Sequence, residues 1–318
     1  MAAQLATFIQ FCEPTYSRSN HIAELWNTLS SFAYCLPAVY FWILTNRYKA
    51  ALPDCFPAHI VRRYKLCALA WFVLGLGSAA FHALQTIWAE LWDEIGMLVS
   101  ILGLSVCLFD LHPWTTSKRA NWFYGSLGLS VFVALMVYIQ IMYHPFFAAT
   151  FIVSALVPAG LLITLPLNVN RGAIKLYQET VRRSSRAGDA ALESVTQTSN
   201  SLSPFGSLNM NKATLIGIAF ALAGYAIWHV DQLCVAESWK PSAHGWYELD
   251  WFYWTHPFWH VATACSSLFF FDAMLKVRVE TFKSPLLRKA LTGSFVPIFS
   301  FGSSVKVFLG MHASKRSS

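Results

Sequence analysis

The sequence predicts an all-α protein that crosses a membrane seven times. The 318-residue chain is 56% hydrophobic and only 12% charged, which is about half the charged fraction of an ordinary soluble domain. Its apolar residues form blocks of roughly 20, the length that a helix needs to cross about 30 Å of hydrocarbon. Its basic residues are concentrated in alternate loops between these blocks. Together these three observations indicate a polytopic membrane protein.

The apolar blocks predict seven helices, most of them joined by short turns. Only segment 168–212 is long and polar, and its Ser, Thr and Asn content predicts a disordered loop. The helical domain at 24–275 thus follows an N-terminal segment, 1–23, and precedes a basic tail, 276–318. The predicted helices are 24–45, 64–85, 88–110, 120–143, 146–166, 213–235 and 251–275.

The positions of the basic residues predict the orientation. The loops after the first, third and fifth predicted helices, with their helix ends and the tail, hold 21 of the 23 Lys and Arg residues. Only Arg18 and Lys240 lie on the other side. Because positive loops resist translocation, the N-terminus is predicted outside or in a lumen, with 168–212 and the tail in the cytosol. These loops also account for the net charge of +7, and no basic stripe indicates nucleic-acid binding.

Several polar side chains lie at one level of the predicted helices. A carboxylate or imidazole in a membrane helix is costly unless it is paired, hydrated or bound to metal, so such residues are functional candidates. The predicted orientation brings all of them to the outer ends of the second, third, sixth and seventh helices. They are Ser78, His82, Asp93, His229, Asp231, His256 and His260.

Three of these histidines predict a zinc site. His256 and His260 are four residues apart, so their rings share one helix face and can bind one ion. His82 adds the third ligand of a catalytic zinc ion, whose fourth coordination position stays open for water or substrate. Asp93 follows His82 across a tight turn. Ser78 lies one turn before His82 and can reach a reacting oxygen. The open alternatives are that the paired histidines hydrogen-bond neighbouring helices and that Ser78 bonds a carbonyl of its own helix.

His229 and Asp231 cannot both face this site. Residues two apart on a helix point in different directions. We expect Asp231 to accept the second N–H of a ligand histidine, and His229 to pack at an interface.

Five short motifs carry a family resemblance. They are CEPTY at 12–16, HIAELWNTLS at 21–30, GSAAFH at 77–82, LWDE at 91–94 and HPFWH at 256–260. In this order and spacing they resemble the motifs of the alkaline ceramidases, and the resemblance extends from Cys12 to about residue 270.

The resemblance implies a seven-helix membrane amidase of sphingolipid metabolism. Such an enzyme uses water to cleave the N-acyl bond of ceramide, a membrane lipid, in the endoplasmic reticulum or Golgi. The orientation predicted above would place its site toward the lumen. By the matching motifs, His82, His256 and His260 would bind zinc, Asp93 would act as general base and acid, and Ser78 would stabilise the oxyanion.

The resemblance also implies a calcium site in the N-terminal segment. Glu13 and Glu24 match ligand positions, Phe11 can contribute its backbone carbonyl, and Thr15 its hydroxyl. Because the family's pattern has Asp, Trp and Asn where this chain has Gln10, Phe11 and Thr15, fewer charges predict weaker calcium binding. The alternative is that Glu24 pairs with Asn27 or caps the first helix.

Two further expectations complete the sequence-based account. The resemblance implies a disulfide between Cys12 and Cys234, both on the oxidising outer side. The alternative function is a seven-helix receptor or transporter of the progestin and adiponectin receptor type, with or without lipid hydrolysis. A proton relay would need charged residues through the whole membrane depth, whereas the candidates lie at one end.

Overall fold

The computed structural model describes residues 11–111, 210–235 and 254–282, together with single helical residues at 128 and 160. The regular elements within these ranges are helices, as the sequence predicts. They are α1 (Leu25–Ser31), a short 3-10 helix (Phe32–Tyr34), α2 (Cys35–Ala51), α3 (Ala58–Leu84), α4 (Ile87–Phe109), α5 (Met210–Val235) and α6 (Thr255–Phe282).

Within the described ranges, five helical stretches are long and apolar enough to cross a membrane, so the chain is an integral membrane protein. They correspond to the first, second, third, sixth and seventh predicted helices. Apart from single helical residues at 128 and 160 and the last residues of the loop, the predicted helices 120–143 and 146–166 and the loop 168–212 lie outside the described residues. The orientation stays a prediction. The five stretches are Leu25–Ala51, Ala58–Leu84, Ile87–Phe109, Lys212–Leu233 and Thr255–Val279.

The first of these stretches is broken by the 3-10 turn between α1 and α2, which the predicted single helix 24–45 did not include. In a continuous α-helix the backbone N–H of residue 37 would donate to the carbonyl of residue 33. Pro37, in the first turn of α2, has no N–H to donate, so the regular hydrogen-bond ladder is interrupted between the 3-10 turn and α2.

The last helix continues to Phe282, beyond its predicted end at residue 275. Charged residues in these extra turns have partners. Lys276 Nζ lies 2.8 Å from the carboxylate of Asp272, and Arg278 Nε donates to the backbone carbonyl of Cys55 at 2.7 Å. Because these charges are paired, the helix extends past the purely apolar run that the sequence shows.

The helices pack around an aromatic core below the polar level. Helix α3 packs against α2 and α4, while α6 packs against α5, α1 and α2. Phe41 of α2 stacks on Phe271 of α6 with ring centroids 4.2 Å apart, and the ring of Trp71 meets Phe271 edge-on at 5.7 Å. This core fixes α2, α3 and α6, and thereby the helices that carry the histidines.

A tight turn connects α3 to α4. Gln85 ends α3 in a left-handed conformation with φ of 48°, and its N–H donates to the carbonyl of Phe81 at 2.8 Å. Helix α4 then runs back along α3. A Cβ atom on Gly77 would lie 3.2 Å from the backbone oxygen of Trp92, so glycine permits this close approach.

Candidate metal and active site

Three buried histidines converge from two helices. His82 lies in the last turn of α3, and His256 and His260 lie in the first turns of α6. One ring nitrogen of each lies within 4.8 Å of the corresponding nitrogens of the other two. The ring centroids are 5.0 Å apart for His82 and His256, 5.2 Å for His82 and His260, and 4.6 Å for His256 and His260. The residues predicted as ligands from their spacing therefore form one cluster.

The Nδ1 atoms of His82 and His260 each form a hydrogen bond with a polar side chain. Glu24 Oε2 lies 2.7 Å from His82 Nδ1, and Ser30 Oγ lies 2.8 Å from His260 Nδ1. Ser30 donates its own proton to the carbonyl of Asn27 at 3.0 Å, so its oxygen accepts from His260. These contacts favour the tautomer of each ring that carries its proton on Nδ1, in which Nε2 could accept a metal ion.

Asp231 approaches the third ring. Its Oδ2 atom lies 3.4 Å from His256 Nδ1, a longer contact than the other two. Its Oδ1 atom accepts hydrogen bonds from the N–H of Cys12 at 3.2 Å and from the hydroxyl of Thr255 at 3.0 Å. His229 is exposed and contacts Tyr225 and Trp228 on its own helix. Only Asp231 of this pair faces the histidines, as expected from their spacing.

The three ring nitrogens are close enough together to hold one metal ion. His82 Nε2 is buried and has no hydrogen-bond partner in the part of the chain that the structure describes. A buried polar atom without a partner is costly, and a metal ion would satisfy it. Two of the rings have a hydrogen-bonded Nδ1 atom, whereas His256 Nδ1 lies 3.4 Å from Asp231 without a hydrogen bond. Three imidazoles held by such partners are a ligand set typical of catalytic metal sites, which leave one coordination position open.

Asp93 and Ser78 lie beside this cluster. Both are buried, Ser78 one turn before His82 and Asp93 near the start of α4. The Ser78 hydroxyl hydrogen-bonds with the Asp93 carboxylate, which lies within electrostatic reach of His82. The hydroxyl of Ser31 lies 3.1 Å from that of Ser78. A proton acceptor and a hydroxyl donor thus lie next to the histidines.

Nearly the whole chain matches the sequence model of a known protein family. The sequence model of the family described as Ceramidase matches residues 4–290. The chain belongs to the ceramidase family. This membership confirms the resemblance that the five short motifs indicate.

Two curated members of the ceramidase family are similar to parts of the chain. The putative alkaline ceramidase dcd3A of Dictyostelium discoideum is 28% identical over 151 residues, which are 46% of this chain and 52% of that protein. Alkaline ceramidase 3 of Mus musculus is 28% identical over 109 residues, which are 34% of this chain and 37% of that protein. The matched region thus spans about half of the first relative and less of the second.

In this ceramidase-family chain the N-terminal segment lies against α1. Both carboxylate oxygens of Glu13 accept backbone N–H groups at the start of α1, from Trp26 at 2.9 Å and Asn27 at 2.8 Å. Burial raises the pKa of the Glu13 carboxyl, and these two hydrogen bonds oppose that rise. Glu13 therefore caps α1 from outside the helix.

Two of the expected calcium ligands, Glu13 and Glu24, have hydrogen-bond partners within the protein. Glu24 accepts a hydrogen bond from the side-chain amide of Asn27 at 2.8 Å, and this pair is the alternative arrangement that the sequence left open. Glu24 also contacts His82. Glu13 caps α1, and Thr15 is exposed. Calcium needs six to eight oxygen ligands. The contacts of Glu13 and Glu24 do not test whether this set binds calcium, so calcium binding stays a prediction.

The expected disulfide also stays a prediction. Cys12 is buried, and its backbone N–H contacts Asp231, which precedes Cys234 by one helical turn on α5. The side chain of Cys234 lies outside the described residues.

Sequence reasoning missed three contributors to the site. They are Ser30, Ser31 and the ring of Phe11, which contacts two of the histidines. Ser30 is the last residue of the HIAELWNTLS motif and Ser31 follows it directly, and that position was the available signal. A serine in an apolar helix is common, however, and which helix it faces depends on tertiary packing.

Proposed function

We propose that this chain is a zinc-dependent ceramidase. It hydrolyses the N-acyl amide bond of ceramides and releases a sphingoid base and a fatty acid. The observation that supports this most strongly is the buried histidine cluster beside Asp93 and Ser78, in a member of the ceramidase family.

His82, His256 and His260 would hold the zinc ion through their Nε2 atoms. A zinc ion bound by three histidines supplies Lewis acidity, lowering the pKa of water to about 7 and polarising a carbonyl. Glu24, Ser30 and Asp231 keep the three rings oriented for this task. These partners join α3 and α6 to α5 and to α1, so the site depends on the packed bundle.

Asp93 and Ser78 carry the proton and charge steps. The Asp93 carboxylate accepts a proton from the attacking water as the water oxygen bonds to the amide carbon. It then delivers this proton to the nitrogen as the carbon–nitrogen bond breaks, so that the sphingoid base leaves as a neutral amine. The Ser78 hydroxyl, which contacts Asp93 in this structure, donates to the carbonyl oxygen as negative charge develops there.

The proposal includes the route of the substrate and the location of the site. A ceramide is a membrane lipid, so we infer that it enters sideways between the helices and brings its amide to the histidines. Because 21 of the 23 basic residues are predicted on the cytosolic side, we expect the site to face the lumen. The resemblance to alkaline ceramidases supports the endoplasmic reticulum or Golgi as its location.

Product analysis with purified full-length protein tests this function. Incubation with a panel of ceramides should release free sphingoid base, detected by mass spectrometry, and a zinc chelator should stop the release until zinc is restored. Asp93→Asn should lower the rate by about 100-fold or more. Asp54→Asn, which changes an exposed carboxylate in the loop after α2, is the matched control and should act like wild type.

Two results would overturn the proposal. One is full activity in Asp93→Asn, and the other is an absence of sphingoid base with every ceramide although the protein is folded and zinc-loaded. Transport of a solute across vesicles without any hydrolysis product would favour the transporter alternative instead.

A further inference from the structure

We propose that Phe11 is a positioning residue whose ring covers the outer side of the histidine cluster, holding two metal-binding rings in place and keeping external water and chelators out. The proposal rests on the function proposed above. It concerns the side chain of Phe11, whereas the sequence considered only its backbone carbonyl.

The ring of Phe11 contacts histidines from two different helices. Its centroid lies 4.1 Å from that of His256 on α6 and 4.9 Å from that of His82 on α3. It also meets Phe81 edge-on at 6.0 Å. One side chain therefore bridges the two helices that supply the metal ligands, and it limits the rotation of both imidazoles.

The two residues after Phe11 fix its position. The backbone N–H of Cys12 donates to Asp231, whose other carboxylate oxygen lies 3.4 Å from His256. Glu13 accepts two backbone N–H groups of α1. We call residues 11–13 the strap. Because the strap is bonded to α5 on one side and to α1 on the other, the ring of Phe11 is held over the cluster by the backbone as well as by its own packing.

The exposure of Phe11 indicates what the ring does. The three histidines are buried, whereas Phe11 is only half-buried, so the ring lies between the cluster and the outside. An apolar ring at this place excludes water and lowers the local dielectric constant, which strengthens the interactions of the site. The substrate amide must then reach the histidines from the membrane side.

The rate at which a chelator removes zinc from the purified full-length protein tests this role directly. Phe11→Ala should release zinc about tenfold faster than wild type. Removal of a group that orients a metal ligand typically lowers metal affinity by about 10- to 100-fold, and the expected change lies at the lower end of that range. It should also lower kcat more than it changes KM, because the ring orients the ligands and does not bind the lipid tails. Phe11→Trp keeps an aromatic cover and should restore slow release.

Phe258→Ala is the matched control. Phe258 lies between His256 and His260 on the same helix but is exposed, and its ring contacts Trp254 at a centroid distance of 6.5 Å. This variant should release zinc at the wild-type rate. If Phe11→Ala does not fold, Phe11→Leu is the second variant, and it should still release zinc faster because it lacks the flat face that contacts both imidazoles.

The outcomes separate the two proposals. Wild-type zinc release and kinetics in Phe11→Ala, or in Phe11→Leu where the alanine variant does not fold, would overturn the role of Phe11 and leave the enzyme intact. Equally fast release in Phe258→Ala would also overturn it. A wild-type protein that neither binds zinc nor hydrolyses ceramide would instead overturn the proposed function.

Discussion

The three histidines differ in the group that holds each ring. His82 is paired with the carboxylate of Glu24, His260 with the hydroxyl of Ser30, and His256 approaches Asp231 at the longer distance of 3.4 Å. A charged acceptor makes a hydrogen bond roughly twice as strong as a neutral one. The ring of His82 is therefore the most firmly oriented of the three.

This difference predicts a ranking of two variants. Glu24→Gln removes the charge that faces His82 and should weaken zinc binding by about 10- to 100-fold, whereas Ser30→Ala should weaken it less. Competition for zinc with a chelator of known affinity measures both. A greater loss in Ser30→Ala than in Glu24→Gln would contradict the ranking.

At the residue scale, the sequence predicts the ligands better than their surroundings. The spacing of His256 and His260 and the outer level of His82 were sufficient to predict a shared cluster, because both follow from helix geometry and helix ends. The contact between Glu24 and His82 joins residues 58 positions apart and depends on how α1 packs on α3. Local pattern carries no information about that packing.

At the scale of elements, α1 is a short helix whose first turn depends on an acceptor from outside. Glu13→Ala leaves the N–H groups of Trp26 and Asn27 without this acceptor and should lower the free energy of unfolding by about 1–2 kcal/mol. Thermal unfolding of the purified protein measures the change.

The control for Glu13 lies in the same segment. The hydroxyl of Ser19 also accepts two backbone N–H groups, those of His21 and Ile22 at 3.2 Å each, but in a more exposed turn. Ser19→Ala should therefore have a smaller effect. Equal losses in the two variants would argue that Glu13 is not a buried cap.

The contact between α3 and α4 gives a second prediction for this scale. In Gly77→Ala the new methyl group would lie 3.2 Å from the backbone oxygen of Trp92, and backbone atoms cannot easily move away. The helices should separate and carry Ser78 away from Asp93, which would reduce both amide hydrolysis and thermal stability. Gly103→Ala is the matched control, because its methyl group would meet Cys67 at an ordinary 3.4 Å. Similar behaviour of both variants would count against the close approach.

The helices themselves were largely predictable, and their ends were not. Runs of apolar residues indicate where the chain crosses hydrocarbon, but a helix continues as long as its backbone and charges are satisfied. The extension of α6 depends on Asp272 pairing with Lys276 and on Arg278 reaching the carbonyl of Cys55. The first of these pairs was visible in the sequence as an i,i+4 spacing, whereas the second required the fold.

For the whole molecule, the distribution of basic residues predicts an outer N-terminus and a cytosolic loop at 168–212. A glycosylation acceptor appended to the N-terminus should be modified in cells, and the same acceptor inserted in that loop should not, because only the lumenal side carries the modifying enzyme. A gel shift with and without deglycosylation measures this. Modification of the loop acceptor alone would reverse the orientation and place the site toward the cytosol.

The central claim is that one zinc ion binds where α3 and α6 bring three histidines together. Metal analysis of the purified full-length protein tests it most directly, with His229→Ala as the control because that histidine is exposed and directed away from the cluster. We expect about one zinc per chain in wild type and in His229→Ala, and less than about one tenth of that in His82→Ala. Full zinc occupancy in His82→Ala, or an absence of zinc in wild type, would contradict the account.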